Sequence, residues 1–282
     1  MEWRGRRQSR NIDDRRSAST VGRAGGIGGV GVIVVLLVGY FLGVDVTPLL
    51  NDPAGGGEAV AVEITPADRA AGEFVSVTLA DTEEVWAGVF DEQVGQPYRP
   101  TVLVLYKDVT QSSCGGASGA TGPFYCPADK RIYLDTAFFA TLEQRLGAKG
   151  DFAAAYVVAH EVGHHVQDEL GILAQANKVR AQVSEAESNQ ISVRIELQAD
   201  CFSGIWARLA AEQFGTLQQG DIEEAVNAAR QIGDDTLQSS AGQRPMPHTF
   251  THGTSEQRSR WFVKGYKSGT MDQCDTFSTD RL

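Results

Sequence analysis

The sequence predicts a mainly helical α+β fold that follows one N-terminal transmembrane helix. Residues 25–44 contain no charged side chain and are long enough to cross a bilayer as a helix. Beyond them, β-branched and apolar residues form two short strand-like segments, 101–106 and 131–134. Apolar residues at helical spacing occupy most of the remaining chain. Few strands and many helices indicate an α+β domain with a small sheet.

The first 24 residues differ in charge from the rest of the chain. They carry seven arginines against three acidic residues, whereas the whole chain has a formal net charge of −11. Arginines before an apolar segment follow the positive-inside rule, which places residues 1–24 in the cytoplasm and the body of the protein outside. The acidic body would repel phosphate backbones, so we expect no nucleic-acid partner.

The apolar segment allows two interpretations. A cleaved signal peptide has an apolar region of about 7–15 residues and a small-residue cleavage site. The segment here is longer, and VDVTPLLND after it is a poor cleavage site. We therefore expect an uncleaved signal anchor over 25–44, a flexible linker over 45–66 and an extracytoplasmic domain over 67–282. This organisation predicts a single-pass protein of the cell membrane, attached through residues 25–44.

The elements of the body follow from local patterns. Helical spacing predicts a first helix over 73–89, and β-branched residues predict strands over 101–106 and 131–134, the second at a sheet edge. Asp151 and Asp221 are expected to cap later helices, and Gly171 to end one. The later helices are predicted over 136–146, 151–170, 173–214 with a break near 188–189, 221–232 and 255–267.

The four cysteines all follow the apolar segment. An even number of cysteines in an exported domain indicates disulfides, and four cysteines allow three pairings. Cys114 and Cys126 bracket a glycine-rich loop that a bridge would constrain, so the favoured pairs are Cys114–Cys126 and Cys201–Cys274. Four free thiols are the alternative. A cysteine zinc site is disfavoured because no pair has C-x-x-C spacing.

The strongest chemical signal is the motif A-H-E-V-G-H-H at residues 159–165. His160 and His164 lie four residues apart on one helix face, so both imidazoles can reach one tetrahedral zinc ion. Glu161 is rotated by about 100° from His160, which places its carboxylate beside the metal as a general base. We therefore expect one zinc ion per chain and place His165 off the site. The alternative is a surface helix with incidental histidines.

The segment E-L-Q-A-D at residues 196–200 offers the third zinc ligand. Glu196 can bind the metal, while Asp200 can accept the second imidazole N–H of a ligand histidine and fix its tautomer. Apolar neighbours favour partial burial over the alternative of a solvated helix face. The arrangement resembles the thermolysin-like zincins. A third histidine ligand is disfavoured because positions 167 and 170 are glutamine and leucine.

A catalytic donor is also needed for the oxyanion of the tetrahedral intermediate. His252, in F-T-H-G-T-S-E-Q-R before the last predicted helix, is the candidate. Arg258 and Tyr133 are weaker candidates, and a structural role in the loop is the alternative for His252.

Several motifs together carry a family resemblance: W-R-G-R-R, the apolar segment, G-P-F-Y-C-P, I-Y-L-D, A-H-E-x-G-H-H-V-Q, E-L-Q-A-D-C and T-H-G-T-S-x-Q-R-x-x-W-F. In this combination the chain resembles the bacterial membrane-anchored neutral zinc metallopeptidases. The resemblance implies a zincin-like peptidase domain that hydrolyses a peptide or protein substrate in the extracytoplasmic space. It does not specify the substrate, and the oligomeric state stays open.

Two other functions compete with peptide hydrolysis. One is a zinc-binding envelope scaffold or chaperone-like protein without turnover, and the presence of Glu161 argues against it. The other is intramembrane proteolysis, which is disfavoured because the motif lies in a polar region far beyond the apolar segment.

Overall fold

The computed structural model describes residues 1–17, 63–118 and 122–282. These residues form a mainly helical α+β fold with a small sheet, as predicted. The strands are β1 (Ile12–Asp14), β2 (Val102–Tyr106), β3 (Val109–Ser112), β4 (Gly115–Ser118), β5 (Phe124–Cys126) and β6 (Arg131–Asp135). The helices are α1 (Pro66–Val89), α2 (Ala137–Gln144), α3 (Asp151–Glu169), α4 (Ile172–Arg180), α5 (Glu185–Phe214), α6 (Asp221–Gln231), α7 (Asp234–Ser240) and α8 (Ser255–Ser268).

The main sheet has the strand order β1-β2-β6-β5, in which β1, β2 and β6 are parallel and β5 is antiparallel to β6. The prediction that residues 131–134 form an edge strand is wrong, because β6 lies between β2 and β5. Its side chains are buried on both faces: Ile132 and Leu134 join the main core, whereas Tyr133 packs in a smaller cluster with Val104. Burial on both faces is typical of an interior strand.

The helices pack around α3, which is buried along most of its length. Helix α5 packs against α3, and α8 packs against α5 at very short distance. A Cβ atom on Gly204 of α5 would lie 2.1 Å from the Phe262 carbonyl oxygen, and one on Gly265 of α8 would lie 1.9 Å from the Cys201 carbonyl oxygen. Glycine at both positions therefore sets the separation of these two helices.

Several helix starts differ from the sequence prediction. The long helical stretch is interrupted before Ser184 and not near 188–189, because Ser184 and Glu187 form a reciprocal capping box that starts α5. Asp221 is the first residue of α6 and not its cap, which is Gly220. Asp151 is likewise the first residue of α3 and not its cap, which is Gly150. Its carboxylate instead lies 2.6 Å from the α-amino group of Met1.

Residues 1–17 are part of the same folded unit as the body. Strand β1 pairs with β2, and the Arg15 N–H donates to the Leu105 carbonyl at 2.7 Å. Arg6 forms an ion pair with Asp81 of α1, and Arg16 donates to a backbone carbonyl of the same helix. This differs from the predicted separate cytoplasmic tail over 1–24, because Arg6, Arg7 and Arg16 bind acidic or carbonyl groups of α1.

The predicted anchor, residues 25–44, lies outside the described residues, as does most of the predicted linker, 45–66. Helix α1 begins at Pro66, earlier than predicted, behind a capping box formed by Thr65 and Asp68. Within the described ranges, no helix is both long and apolar enough to cross a membrane.

Both favoured disulfide pairs are confirmed. Cys114 and Cys126 are bridged with a Cα–Cα distance of 5.8 Å, and Cys201 and Cys274 with 5.6 Å. The first bridge closes the segment 114–126, which contains β4 and β5. The second ties the C-terminal segment to α5, the helix that carries Glu196.

Candidate metal centre

The structure brings together the three residues predicted to bind zinc. His160 and His164 project from α3, and Glu196 projects from the neighbouring α5. The Nε2 atom of His160 lies 3.1 Å from Glu196 Oε2, and Nε2 of His164 lies 3.4 Å from Glu196 Oε1. One ligand atom of each residue lies within 4.8 Å of the others. Both imidazoles therefore point at one carboxylate.

The spacing of these atoms fits a tetrahedral zinc ion. Ligand atoms bound at about 2.0–2.1 Å to such an ion lie about 3.3 Å from one another. The observed 3.1 and 3.4 Å agree with that edge length. Two imidazole nitrogens and one carboxylate are also a donor set of catalytic zinc sites, which keep a fourth position for water or substrate.

The glycine within the histidine motif allows the two helices to approach at this point. A Cβ atom on Gly163 would lie 3.0 Å from the Ala199 carbonyl oxygen of α5. Gly163 lies between His160 and His164 in sequence, and Ala199 lies between Glu196 and Asp200. The close contact therefore falls where the side chains of the two motifs meet.

Asp200 accepts a hydrogen bond from the His160 ring nitrogen that faces away from Glu196, which is the contact predicted for it. Its carboxylate is fully buried and accepts hydrogen bonds from His160 Nδ1 at 2.9 Å and from the Tyr156 hydroxyl at 2.5 Å. Arg258 donates to the same carboxylate from Nε at 2.9 Å and from Nη2 at 3.0 Å. Because Nδ1 faces Asp200, Nε2 of His160 faces Glu196.

The charges around His160 shift several pKa values. Burial alone would raise the pKa of Asp200, but Arg258 and His160 hold it below its ordinary value. Burial is the largest single effect and lowers the pKa of His160, but the Asp200 charge and the hydrogen bonds to Asp200 and Glu196 together outweigh it and raise that pKa to about 10. Asp200 is therefore a carboxylate over the whole neutral range, which its role as an acceptor requires.

Glu161 lies at the same centre, one residue from His160. Its side chain is buried, and burial raises the pKa of its carboxyl while the nearby His164 and His160 oppose that rise. Within the described ranges, no protein group hydrogen-bonds this carboxylate. A raised pKa and an unengaged carboxylate suit a group that accepts and returns a proton near neutral pH.

His252 lies on the loop before α8 and pairs with Asp234 of α7. His252 Nδ1 is 3.2 Å from Asp234 Oδ1, and Asp234 Oδ2 accepts the backbone N–H groups of Thr251, His252 and Gly253 at 2.8, 2.7 and 3.0 Å. Partial burial lowers the pKa of His252, but the Asp234 hydrogen bond and the Glu196 charge raise it above its ordinary value. The ring is therefore held as an N–H donor on the Glu196 side of the fold.

The weaker candidates have other partners. The Tyr133 hydroxyl donates to Asp129 at 2.8 Å, and the Arg258 guanidinium is buried against Asp200. His165 lies off the cluster, as expected: its Nε2 donates to the Arg99 carbonyl at 2.6 Å and its Nδ1 faces the Tyr125 hydroxyl. Arg258 therefore acts on the site through Asp200.

Three residues at the site escaped the sequence analysis. Tyr156 lies one helical turn before His160 on α3, so its spacing from the motif was a usable signal. Gln167 lies one turn after His164 and stands in the quoted motif A-H-E-x-G-H-H-V-Q, but the sequence alone predicted no role for it. Asp234 is 18 residues from His252, and no local pattern connects the two.

Two histidines and a glutamate on two packed helices, with a second glutamate beside them, form a donor set that is typical of catalytic zinc sites. The chain belongs to the family described as "Putative neutral zinc metallopeptidase", whose sequence profile matches residues 1–277. The family assignment agrees with the resemblance seen in the motifs.

Relatives that match this chain over nearly its whole length or over part of it occur in bacteria. The Escherichia coli protein named Uncharacterized protein YpfJ is 45% identical over 285 residues, covering 98% of this chain and 99% of that protein. The Mycobacterium tuberculosis protein named Uncharacterized protein Rv2575 is 44% identical over 188 residues, covering 63% of this chain and 62% of that protein. No solved structure matches the chain.

Proposed function

We propose that this protein is a zinc-dependent metalloendopeptidase of the zincin type, with His160, His164 and Glu196 as the ligands of one zinc ion. The observation that carries the proposal is the convergence of two imidazole Nε2 atoms on the Glu196 carboxylate. Membership of the zinc metallopeptidase family supports the same reaction class.

Each side chain of the site has a separate role in the proposed hydrolysis. A bound zinc ion would polarise the scissile carbonyl and lower the pKa of a water molecule. Glu161 accepts the proton of the attacking water and delivers it to the leaving amine. His252, held by Asp234, donates its N–H to the oxyanion of the tetrahedral intermediate. Asp200 keeps His160 in the tautomer whose Nε2 faces the metal.

The test compares bound zinc with peptide hydrolysis in the full-length chain. Glu161→Gln should keep zinc and lose about 10²–10⁴-fold in rate, the contribution of a positioned general base. His164→Ala should lose both, because it removes a ligand. Glu169→Gln, on the last turn of α3, is a matched control that should change neither. If wild type and Glu161→Gln hydrolyse a mixed peptide library equally, the peptidase proposal is wrong and a scaffold without turnover is favoured.

We also propose that the folded unit lies outside the cytoplasm and that the chain associates with the membrane through residues 25–44. The two disulfides support an oxidising compartment. Because β1 and β2 share a sheet, residues 1–17 and 63–282 are proposed to occupy the same compartment. A single crossing between them would separate the two strands, so the cytoplasmic N-terminus expected from the arginines is not retained.

Labelling of single introduced cysteines tests this arrangement. Arg10→Cys and Ser240→Cys place thiols at exposed positions of the N-terminal segment and the body. A membrane-impermeant maleimide added to intact spheroplasts should label both. Labelling of Ser240→Cys alone would show that the N-terminal segment lies in the cytoplasm. Labelling of neither variant would refute the export of the folded unit.

A further inference from the structure

A chain of buried amides connects His164 to the C-terminal disulfide. Gln167 is fully buried, and its Oε1 accepts a hydrogen bond from His164 Nδ1 at 2.9 Å. Its Nε2 donates to the Ile195 carbonyl at 2.8 Å and to Gln198 Oε1 at 3.0 Å. The Nε2 of Gln198 donates to the Cys274 carbonyl at 3.0 Å. Gln167 and Gln198 are called the amide relay below.

Backbone carbonyls fix the direction of every bond in the amide relay. A carbonyl oxygen only accepts, so the Cys274 carbonyl requires the amino group of Gln198 and leaves its oxygen for Gln167. The Ile195 carbonyl orients Gln167 in the same sense, so an amide oxygen faces His164. That oxygen cannot donate, and His164 Nδ1 must therefore carry a proton. In the neutral ring the lone pair is then on Nε2, the atom that faces Glu196.

The far end of the relay is held by a covalent bond. Cys274 is bridged to Cys201, which lies one helical turn after Gln198 on α5, and both cysteines are fully buried. The bridge therefore holds the Cys274 carbonyl beside the Gln198 amide. Ile195, the second acceptor, is the residue before Glu196, so Gln167 contacts both ligand-bearing helices.

We infer that Gln167 and Gln198 are positioning residues that hold His164 in the tautomer required for zinc binding, and that the Cys201–Cys274 bridge anchors them. His160 and His164 then have different supports: a buried carboxylate for the first and a neutral amide relay for the second. The inference rests on the proposed zinc site. It predicts that loss of the bridge weakens zinc binding although no cysteine contacts the metal.

Zinc dissociation constants of the full-length chain, measured by competition with a chelator of known affinity, test the inference. Gln167→Met keeps the side-chain length without its polar atoms and should raise the dissociation constant about 10–100-fold. Gln198→Met and the double variant Cys201→Ser/Cys274→Ser should change it in the same direction. Their combination should add little to either alone, because both act through one chain of bonds.

Gln238→Met is the matched control. Gln238 is also a buried glutamine with two hydrogen bonds, to Thr249 and to the Met246 N–H, but it does not contact a proposed ligand. Its loss should lower the melting temperature and leave the zinc dissociation constant unchanged. A second readout is the ¹H–¹⁵N signal of His164 Nδ1 in the zinc-loaded protein. It should exchange slowly with solvent in wild type and rapidly in Gln167→Met.

The outcomes separate this inference from the proposed function. If wild type binds no zinc, both fail. If wild type binds zinc and Gln167→Met binds it as tightly with an unchanged Nδ1 signal, the amide relay is refuted while the peptidase proposal stands. If Gln167→Met does not fold, Gln198→Met, one step further from the metal, decides the question by the same measurement. Additive effects of Gln198→Met and bridge loss would refute the anchoring role of the disulfide.

Discussion

Replacing Asp200 by asparagine should destabilise the protein strongly and also weaken its zinc site. Asp200 is the shared acceptor for His160, Tyr156 and Arg258, and the Arg258 side chain is only 3% exposed. Asparagine fills the same volume but removes the charge, which leaves the Arg258 guanidinium buried without a counter-ion. Removing one partner of a buried ion pair costs about 3–5 kcal/mol.

This cost is large against the whole stability of the fold. Natural domains are stable by about 5–15 kcal/mol, so Asp200→Asn should move the denaturant midpoint far down. Arg258→Met should also destabilise the fold, because it removes the guanidinium partner of Asp200 and leaves that carboxylate only the His160 and Tyr156 donors. The double variant should lose clearly less than the sum, since no unpaired buried charge remains.

The assay is denaturant unfolding with the disulfides intact and zinc removed by a chelator, so that metal binding adds nothing to the stability. Zinc affinity measured separately should fall about 10–100-fold in Asp200→Asn, because His160 loses its acceptor. Tyr156→Phe is a milder control that removes one donor and keeps both charges. A midpoint within error of wild type for Asp200→Asn, or a fully additive double variant, would refute the shared-acceptor account.

Two further predictions follow from the site and the packing. Asp234 raises the pKa of His252, so Asp234→Asn should lower that pKa and move the alkaline fall of kcat/KM to lower pH. The control Asp235→Asn should leave the pH profile unchanged. If the alkaline fall does not move in Asp234→Asn, His252 has no role in the reaction. Gly204→Ala should destabilise the fold by about 1–3 kcal/mol in denaturant unfolding, because its Cβ would meet a backbone carbonyl. Gly88 lies at an exposed helical position with open space around it, so Gly88→Ala should instead stabilise the fold by roughly 0.5–1 kcal/mol. Equal effects of the two substitutions on the free energy of unfolding would contradict the close packing of α5 on α8.

The ligand-bearing part of the site could be predicted because helix geometry alone fixes it. His160 and His164 must share a face wherever α3 lies, and Glu196 and Asp200 must share a face of α5. The sequence did not contain the contact between the two helices, which depends on Gly163 meeting Ala199. The two helices could be predicted to meet only because a catalytic zinc site needs a third protein ligand.

The N-terminal segment shows where local patterns are ambiguous. Arginines before an apolar stretch have the same appearance whether they face lipid headgroups or the acidic groups of α1. Strand β1 is three residues long and exists through its hydrogen bonds to β2, so no local periodicity marks it. Strand β5 is equally short and has no local periodicity either. Because β5 pairs with β6, strand β6 lies inside the sheet and not at its edge.

Contacts between polar residues that are distant in sequence could not be predicted either. Asp234 contacts His252 because α7 packs beside the loop before α8, and an aspartate at the start of a short helix gives no sequence signal of that contact. Gln167 and Gln198 both stand in the quoted motifs, yet only the three-dimensional structure shows that their side-chain amides hydrogen-bond each other.

The most direct test of the zinc site is anomalous scattering at the zinc edge from a crystal of the wild-type chain grown with zinc. The account predicts one strong peak per chain, about 2.0–2.1 Å from Nε2 of His160 and Nε2 of His164 and at a similar distance from a Glu196 oxygen. Glu161 should lie beside the peak without binding it. A peak elsewhere, or one at the two histidines with Glu196 turned away in an ordered structure, would contradict the account.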